Sequence, residues 1–434
     1  MYSVYKGVKI KKFSPIKTML RIIAAILVII LIVPTTNTVS PVLAEETQNN
    51  QQNTNQENQP NTQQNQQQSQ QNITEAPPVD ISDAKSVILM EQSTRRVLCE
   101  SNADEKRSPA SITKIMTMLL VMEAIDSGRI SMDDVVTVSE HAFSFGGSTI
   151  FLKEGEQMTV HDLLKGTAVM SANDAAVALA EYVGGSEQAF VDMMNMKAAE
   201  LGMTNTCFKN SHGLDEDGHY TTARDIAIMS AELMEHEKIF EFTGIWMDSL
   251  RNGQTELVNT NKLIRFYEPA TGLKTGTTNK AGSCISATAE KNGLHLIAVV
   301  LGAPNSDKRN AVAKALLEYG FANWQFASPT LPPEIFNPVK VVGGVESEVE
   351  VTAKTKPQVL VKKGEELKLE CFTEIAEDVQ APVELGEVVG TVTVKLGEDT
   401  VAEIPLITTK SIDKMTYSIM LGRVLSEFFC VNTQ

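Results

Sequence analysis

The 434-residue chain has little of what would mark several function classes. Its five cysteines (Cys99, Cys207, Cys284, Cys371 and Cys430) are nowhere closely spaced, which excludes a cysteine-rich metal ribbon and a disulfide framework. Small buried apolar residues are the commoner fate of such scattered thiols. The six histidines form no His-Glu-x-x-His motif. His212 and His219 flank an acidic loop, Gly213 to Gly218, but it lacks a calcium-loop pattern and reads as a turn-rich segment. No metal ion and no organic cofactor is implied. Basic residues are in deficit, 38 Lys and Arg against 54 Asp and Glu, a net charge of −16. Such a surface repels polyanions, so nucleic acid is excluded as a partner through bulk electrostatics. The apolar run from Ile22 to Val33 counts twelve residues, short of the ~20 that a spanning helix needs.

Six cations and no acid precede that run or fall before residue 45: Lys6, Lys9, Lys11, Lys12, Lys17 and Arg21. With Val42-Leu43-Ala44 behind it, the segment 1–44 reads as a signal peptide cleaved after Ala44. Its removal moves the net charge from −16 to −22. Residues 45–80 are dominated by Gln and Asn, cannot bury a core, and read as a disordered tether.

Chemistry concentrates in three short pieces. Ser111-Ile112-Thr113-Lys114 follows Pro109 and leads an apolar run that reads as the start of a buried helix. On a helix, positions three apart share a face, so the Ser111 hydroxyl and the Lys114 amine can meet. Ser-x-x-Lys also occurs at Ser14 and Ser411, neither of which has a proline two residues before the serine. A serine hydroxyl needs a base, and a lysine serves only when neutral. Burial, with Lys274 as a second cation close by, lowers its pKa in the required direction. Ser171-Ala172-Asn173 precedes a helical run and supplies a second hydroxyl as proton relay and an amide as a clamp for a peptide.

Lys274-Thr275-Gly276 lies ahead of a hairpin, Cys284 to Ala289 and Leu294 to Leu301, turned by Asn292-Gly293. A glycine on an edge strand lets a substrate backbone approach, while Lys274 and Thr275 grip a terminal carboxylate. The N–H groups of Ser111 and Thr277 are candidates for an oxyanion hole.

These motifs, in this order, resemble those of the low-molecular-mass penicillin-binding proteins, the D-alanyl-D-alanine carboxypeptidases of the bacterial wall. Phe151-Leu152-Lys153-Glu154-Gly155, Asn173-Asp174-Ala175-Ala176, His212-Gly213-Leu214, Ala223-Arg224-Asp225 and Lys280-Ala281-Gly282 extend the likeness. The resemblance implies Ser111 as acylating nucleophile, Lys114 as base, Ser171 as relay, Asn173 as clamp, and Lys274 and Thr275 as carboxylate binders. It adds Arg309 as a support for carboxylate recognition. Stem peptides of peptidoglycan are the implied substrate and β-lactams the implied inhibitors. Ala172 stands where the family commonly has glycine. No Glu-x-x-Leu-Asn segment follows, so β-lactam hydrolysis is not the implied task. An endopeptidase cutting cross-links and a wall-peptide sensor without turnover remain open on the same residues.

The fold class expected is α/β. Strands at Val87–Met90 and Arg96–Cys99, helices dominating from Ser111 to about His236, and strands again from Lys274 give one antiparallel sheet with helices on both faces. The family likeness implies the β-lactamase-like, serine-transpeptidase architecture for residues 81–332. Beyond Pro332-Pro333, short alternating runs (Val339–Val342, Glu348–Val351, Val359–Val361, Glu366–Cys371, Thr391–Leu396) predict a small all-β sandwich over 333–410. Residues 411–434 place Tyr417, Met420, Leu421, Val424, Leu425 and Phe428 on one helical stripe. That stripe suits an amphipathic helix lying on the outer face of the cytoplasmic membrane.

Overall fold

The computed structural model describes residues 76–356 and 358–430, so the expected signal peptide and most of the Gln/Asn-rich tether lie outside the described residues. The chain divides into two compact units, one of residues 76–327 and 360–366, the other of 328–359 and 367–430.

In the first unit, β1 (Ser86–Glu91), β2 (Val97–Ser101), β3 (Ala270–Thr278), β4 (Gly282–Lys291) and β5 (Leu294–Ala303) form a five-stranded sheet in the order β2-β1-β5-β4-β3. Every neighbouring pair is antiparallel. Successive strand residues point to opposite faces, and here both faces are buried. Ile88, Met90, Ile297, Val299 and Leu301 join one apolar cluster, and Val87, Leu89, Leu296, Ala298 and Val300 join the other. Helices cover each side, as the sequence pattern predicts.

On the first face lie α1 (Lys114–Asp126), α2 (Val160–Val169), α3 (Asn173–Gly184) and α4 (Ala223–Met234). The second face packs against α5 (Ser306–Asn323) through Val312, Leu316, Leu317 and Phe321. Local sequence starts these helices. The Thr159, Thr222 and Asn305 side chains accept from the N–H of Asp162, Asp225 and Lys308, each an N-cap worth about 1 kcal/mol. Helix α1 is apolar all round, with Ile115, Met116, Met118, Leu119, Val121 and Met122 fully buried. Such a helix belongs in the middle of a core. It therefore carries Lys114 out of water.

Two short antiparallel strand pairs, Val135–Thr137 with Gln157–Thr159 and Met247–Leu250 with Thr255–Val258, interrupt the helical region. Strands of three or four residues are too short for alternation to show in the sequence. The run Val359–Val361 does form a strand, Val359–Lys362, yet Leu360 packs in the first unit, where its carbonyl accepts from Arg96 at 3.2 Å.

The second unit holds a three-stranded sheet (Glu348–Val349, Val339–Val342, Asp378–Gln380) and a four-stranded one (Val351–Ala353, Asp399–Thr408, Val388–Leu396, Leu369–Ile375). It ends in α6 (Tyr417–Cys430). The helix starts later than expected, because Ile412 and Lys414 are engaged in β-bridges with Val383 and Gly344. Ser411 and Lys414 thus sit in extended backbone, where residues three apart face opposite ways. This Ser-x-x-Lys builds no site. Tyr417, Met420, Leu421, Val424 and Leu425 are exposed along α6. No helix among the described residues is long and apolar enough to cross a membrane.

Candidate active site

Ser111 sits in a tight 3-10 turn, Ala110–Thr113, that runs directly into α1. With three residues per turn, positions i and i+3 eclipse, and Lys114 Nζ comes to 3.3 Å from Ser111 Oγ. Ser111 is half-buried while Lys114 is completely buried. The preceding Ala110 has φ +49°, a left-handed conformation that L-residues disfavour and that marks held backbone.

Lys114 Nζ has two further partners, Asn173 Oδ1 at 2.7 Å and the His212 carbonyl at 2.6 Å. Burial drives its pKa well below the usual lysine range, and the positive charge of Lys274 pushes the same way, against Asp174. A neutral amine has two N–H donors and one lone pair. The two nearer acceptors engage both donors, which leaves the lone pair for the Ser111 hydroxyl. The arrangement can take a proton from serine.

Ser171, between α2 and α3, has φ +60° and is buried. Its Oγ accepts from Lys274 Nζ at 2.8 Å, and Lys274 also donates to the Thr275 carbonyl at 2.9 Å. Burial, reinforced by the charge of Arg309, pushes the Lys274 pKa down to about 7. Lys274 and Gly276 project from the same face of β3, at the edge of the sheet.

Four expectations are modified by the geometry. Asn173, expected as a clamp for peptide, has its Oδ1 on Lys114 and one Nδ2 hydrogen on the Gly146 carbonyl at 2.7 Å, so it chiefly orients the lysine. Gly276 is buried, and a Cβ there would lie 2.9 Å from Ser111 N and 3.0 Å from Ile112 N. Glycine is required for the nucleophile turn to close on β3, a packing demand distinct from substrate access. Thr275 donates its hydroxyl to Thr260 Oγ1 at 2.7 Å. Arg309 is buried on α5, where it bonds Asn310 Oδ1 at 3.0 Å and the Cys284 carbonyl at 3.4 Å. It reaches the site as a field on Lys274. Thr277, one residue past Gly276, is exposed at the strand edge.

The loop beside the Ser171 segment is held from two sides. Asp174, buried at the start of α3, accepts from the N–H of Ile150 at 3.2 Å and of Leu152 at 3.0 Å. Arg251 donates to the carbonyls of Ile150 at 2.9 Å and Phe151 at 3.4 Å, and to Glu156 at 2.6 Å. Between them the Phe151 side chain is 77% exposed. The Asn173 N–H donates to Ser148 of the same loop at 2.7 Å.

Sequence reading passed over two structural contributors. Gly213, with φ +89°, presses so closely on the nucleophile turn that a Cβ would come within 2.0 Å of Ala110 O. His219 reaches Thr113 across 106 residues of chain. Neither link has a local signature.

The D-alanyl-D-alanine carboxypeptidase family profile matches residues 70–305, and that of the penicillin-binding protein 5 C-terminal domain matches 333–414. The chain is 43% identical to the D-alanyl-D-alanine carboxypeptidase DacF of Bacillus subtilis, over 80% of this chain and 90% of that one. It is 37% identical to DacC of Escherichia coli, over 78% and 86% respectively. Among solved structures, penicillin-binding protein 5 from Haemophilus influenzae superposes with a TM-score of 0.67 at 30% identity, covering 78% of this chain and all of that one. The ampicillin-bound penicillin-binding protein D2 of Listeria monocytogenes gives 0.51 at 33%, covering 55% of this chain and 98% of that one.

Proposed function

Because the chain belongs to the D-alanyl-D-alanine carboxypeptidase family and is a hydrolase of that activity, we propose that Ser111 is its acylating nucleophile and Lys114 the base that activates it. The supporting observation is the hydrogen-bonding of Lys114: its two closest partners are acceptors, and its third is the Ser111 hydroxyl. Ser111 Oγ attacks the carbonyl between the last two D-alanines of a peptidoglycan stem peptide while its proton passes to Lys114. The N–H groups of Ser111 and Thr277 receive the developing oxyanion. The proton that Lys114 took from Ser111 passes by way of the Ser171 hydroxyl, held by Lys274, to the departing D-alanine nitrogen, which leaves Lys114 neutral again for the water step. Water then attacks the ester and releases the shortened peptide, returning the proton to Ser111.

Lys274 holds the terminal carboxylate, with Thr275 beside it and Arg309 acting from behind the sheet. Asn173 keeps the Lys114 amine aimed and retains one amide hydrogen for the peptide. β-Lactams acylate Ser111 in place of the dipeptide; the ampicillin-bound relative supports this reading.

We assign residues 1–44 as the export signal, 45–80 as a tether, 81–332 as the catalytic domain, 333–410 as the β-sandwich and 411–434 as the membrane-interface anchor. The exposed apolar residues of α6 support the last assignment. The enzyme then works outside the cytoplasmic membrane, at its outer face.

D-alanine release from a pentapeptide ending in D-Ala-D-Ala tests the central assignment. Protein beginning at Glu45 is expected to release it and the Ser111→Ala variant to be silent. Release by both would remove Ser111 from the mechanism.

A further inference from the structure

The peptide bond that supplies the Ser111 N–H is held by a chain of hydrogen bonds that begins at a histidine the mechanism does not use. The Lys209 N–H donates to His219 Nδ1 at 3.2 Å. That nitrogen is therefore an acceptor, and in a neutral ring the proton sits on Nε2. Nε2 lies 2.9 Å from Thr113 Oγ1, which in turn donates to the Ala110 carbonyl at 2.9 Å. All members of the relay are buried: His219 is 3% exposed and Thr113 and Ala110 are fully enclosed.

The direction of every bond is consistent along the chain. His219 and Thr113 each give one hydrogen forward and take one from behind, and the Ala110 carbonyl accepts at the end, so no donor in the relay is left over. Burial also presses the His219 pKa down to about 4, which keeps the ring in the neutral form that this polarity needs.

The end point decides the function. In a trans peptide the C=O and the following N–H point in opposite directions. Pinning Ala110 O therefore aims the Ser111 N–H. Ser111 N itself lies beside Gly276, the residue before Thr277. At the start of a helical turn its N–H is among those without an intrahelical acceptor. Gly213 closes the other side of the same carbonyl, where even a methyl group would overlap it. Ala110 is held in a left-handed conformation by these contacts.

We propose that His219 and Thr113 are positioning residues that orient the Ser111 N–H as an oxyanion donor, through the Ala110 carbonyl. This rests on the reading of Ser111 as nucleophile. The relay touches no substrate, so its effect falls on the acylation step and leaves ground-state binding alone.

The test separates these steps with a fluorescent penicillin in stopped flow, which yields the non-covalent Kd and the acylation rate constant. Thr113→Val breaks the relay and is expected to lower the acylation rate on the order of ten- to a hundredfold, with Kd within about twofold. Thr113→Ser keeps the hydroxyl and is expected to restore the parent rate. His219→Gln, which can accept and donate in the same places, should stay near the parent, while His219→Phe should follow Thr113→Val. The two pairs are independent, so failure of one variant to fold leaves the other, and thermal midpoints identify such a failure. Parent-like acylation in Thr113→Val and His219→Phe, or loss in the conservative variants equal to that in the disruptive ones, would overturn the relay. Penicilloyl labelling that survives Ser111→Ala, read by intact mass, would instead overturn the nucleophile reading, and the relay with it.

Discussion

Lys274 Nζ stands 2.8 Å from Ser171 Oγ, a buried contact that joins the sheet edge to the loop between α2 and α3. The ammonium sits at the crossover of its two states near neutrality, because burial and Arg309 have brought its pKa to about 7. It is charged below that pH and loses its charge above. For a peptide with a free terminal carboxylate, kcat/KM is expected to fall as pH rises through about 7. An amidated peptide has no carboxylate to bind and should lack that alkaline limb. Identical limbs for both substrates would remove Lys274 from carboxylate binding.

Lys114 can act as a base only through its neutral form, which burial and the Lys274 charge favour. Arginine preserves positive charge and never gives it up. Lys114→Arg and Lys114→Ala should therefore both slow acylation, on the order of 10² to 10⁴ fold. Substantial activity in the arginine variant would show that charge, and not proton transfer, is what position 114 supplies.

The two glycines at the nucleophile turn should differ in severity. Gly276→Ala places its methyl 2.9 Å from Ser111 N, so the backbone of the nucleophile turn has to give way. Gly213→Ala brings one to 2.0 Å from Ala110 O and also strains a backbone at φ +89°. Thermal midpoints and acylation rates should fall for both, further for Gly213→Ala. The reverse order would mean that the turn is held elsewhere.

His212 and His219 are both buried with pKa values lowered to about 4, from 6.5 in the unfolded chain. Their depressed values mean that the folded state resists protons which the unfolded state takes up. Stability is thus fully present above pH 6.5 and is lost as pH falls toward 4, by up to ~1.4 kcal/mol per pH unit for each ring. Urea denaturation at pH 7 and 4.5 should show this loss, and His219→Gln should reduce it by one ring's share. An unchanged pH slope in that variant would show that His219 protonates freely in the native protein.

Flotation with lipid vesicles checks the proposed anchor. Full-length mature protein is expected in the lipid fraction and protein ending at Lys410 in the soluble fraction. Equal lipid recovery would assign the exposed stripe of α6 some other partner.

Much of this site was legible where chemistry and spacing coincide. Ser111 and Lys114 are three residues apart ahead of an apolar run, and a helical turn can do only one thing with that pair. The hairpin of β4 and β5 announced itself through two short runs, Cys284 to Ala289 and Leu294 to Leu301, joined across Asn292-Gly293. What stayed hidden depends on distant parts of the chain meeting. Nothing near Gly276 says that its missing side chain makes room for Ser111 and not for a ligand. Asn173 reads as a ligand-facing amide until Lys114 and Gly146 are seen to engage it. Arg309 could be placed by family likeness but not oriented, since Asn310 and the Cys284 carbonyl turn it inward.

The mounting of Phe151 has one more consequence. Asp174 holds the N–H groups on either side of it, and Arg251 holds its carbonyl and that of its neighbour. An exposed aromatic ring ordinarily surrenders backbone freedom when something settles on it, at about 1–2 kcal/mol per residue ordered. Here that freedom is already gone before any encounter. A molecule that touches this ring meets a surface whose backbone entropy was lost during folding, so that part of the cost of ordering is not charged against the contact.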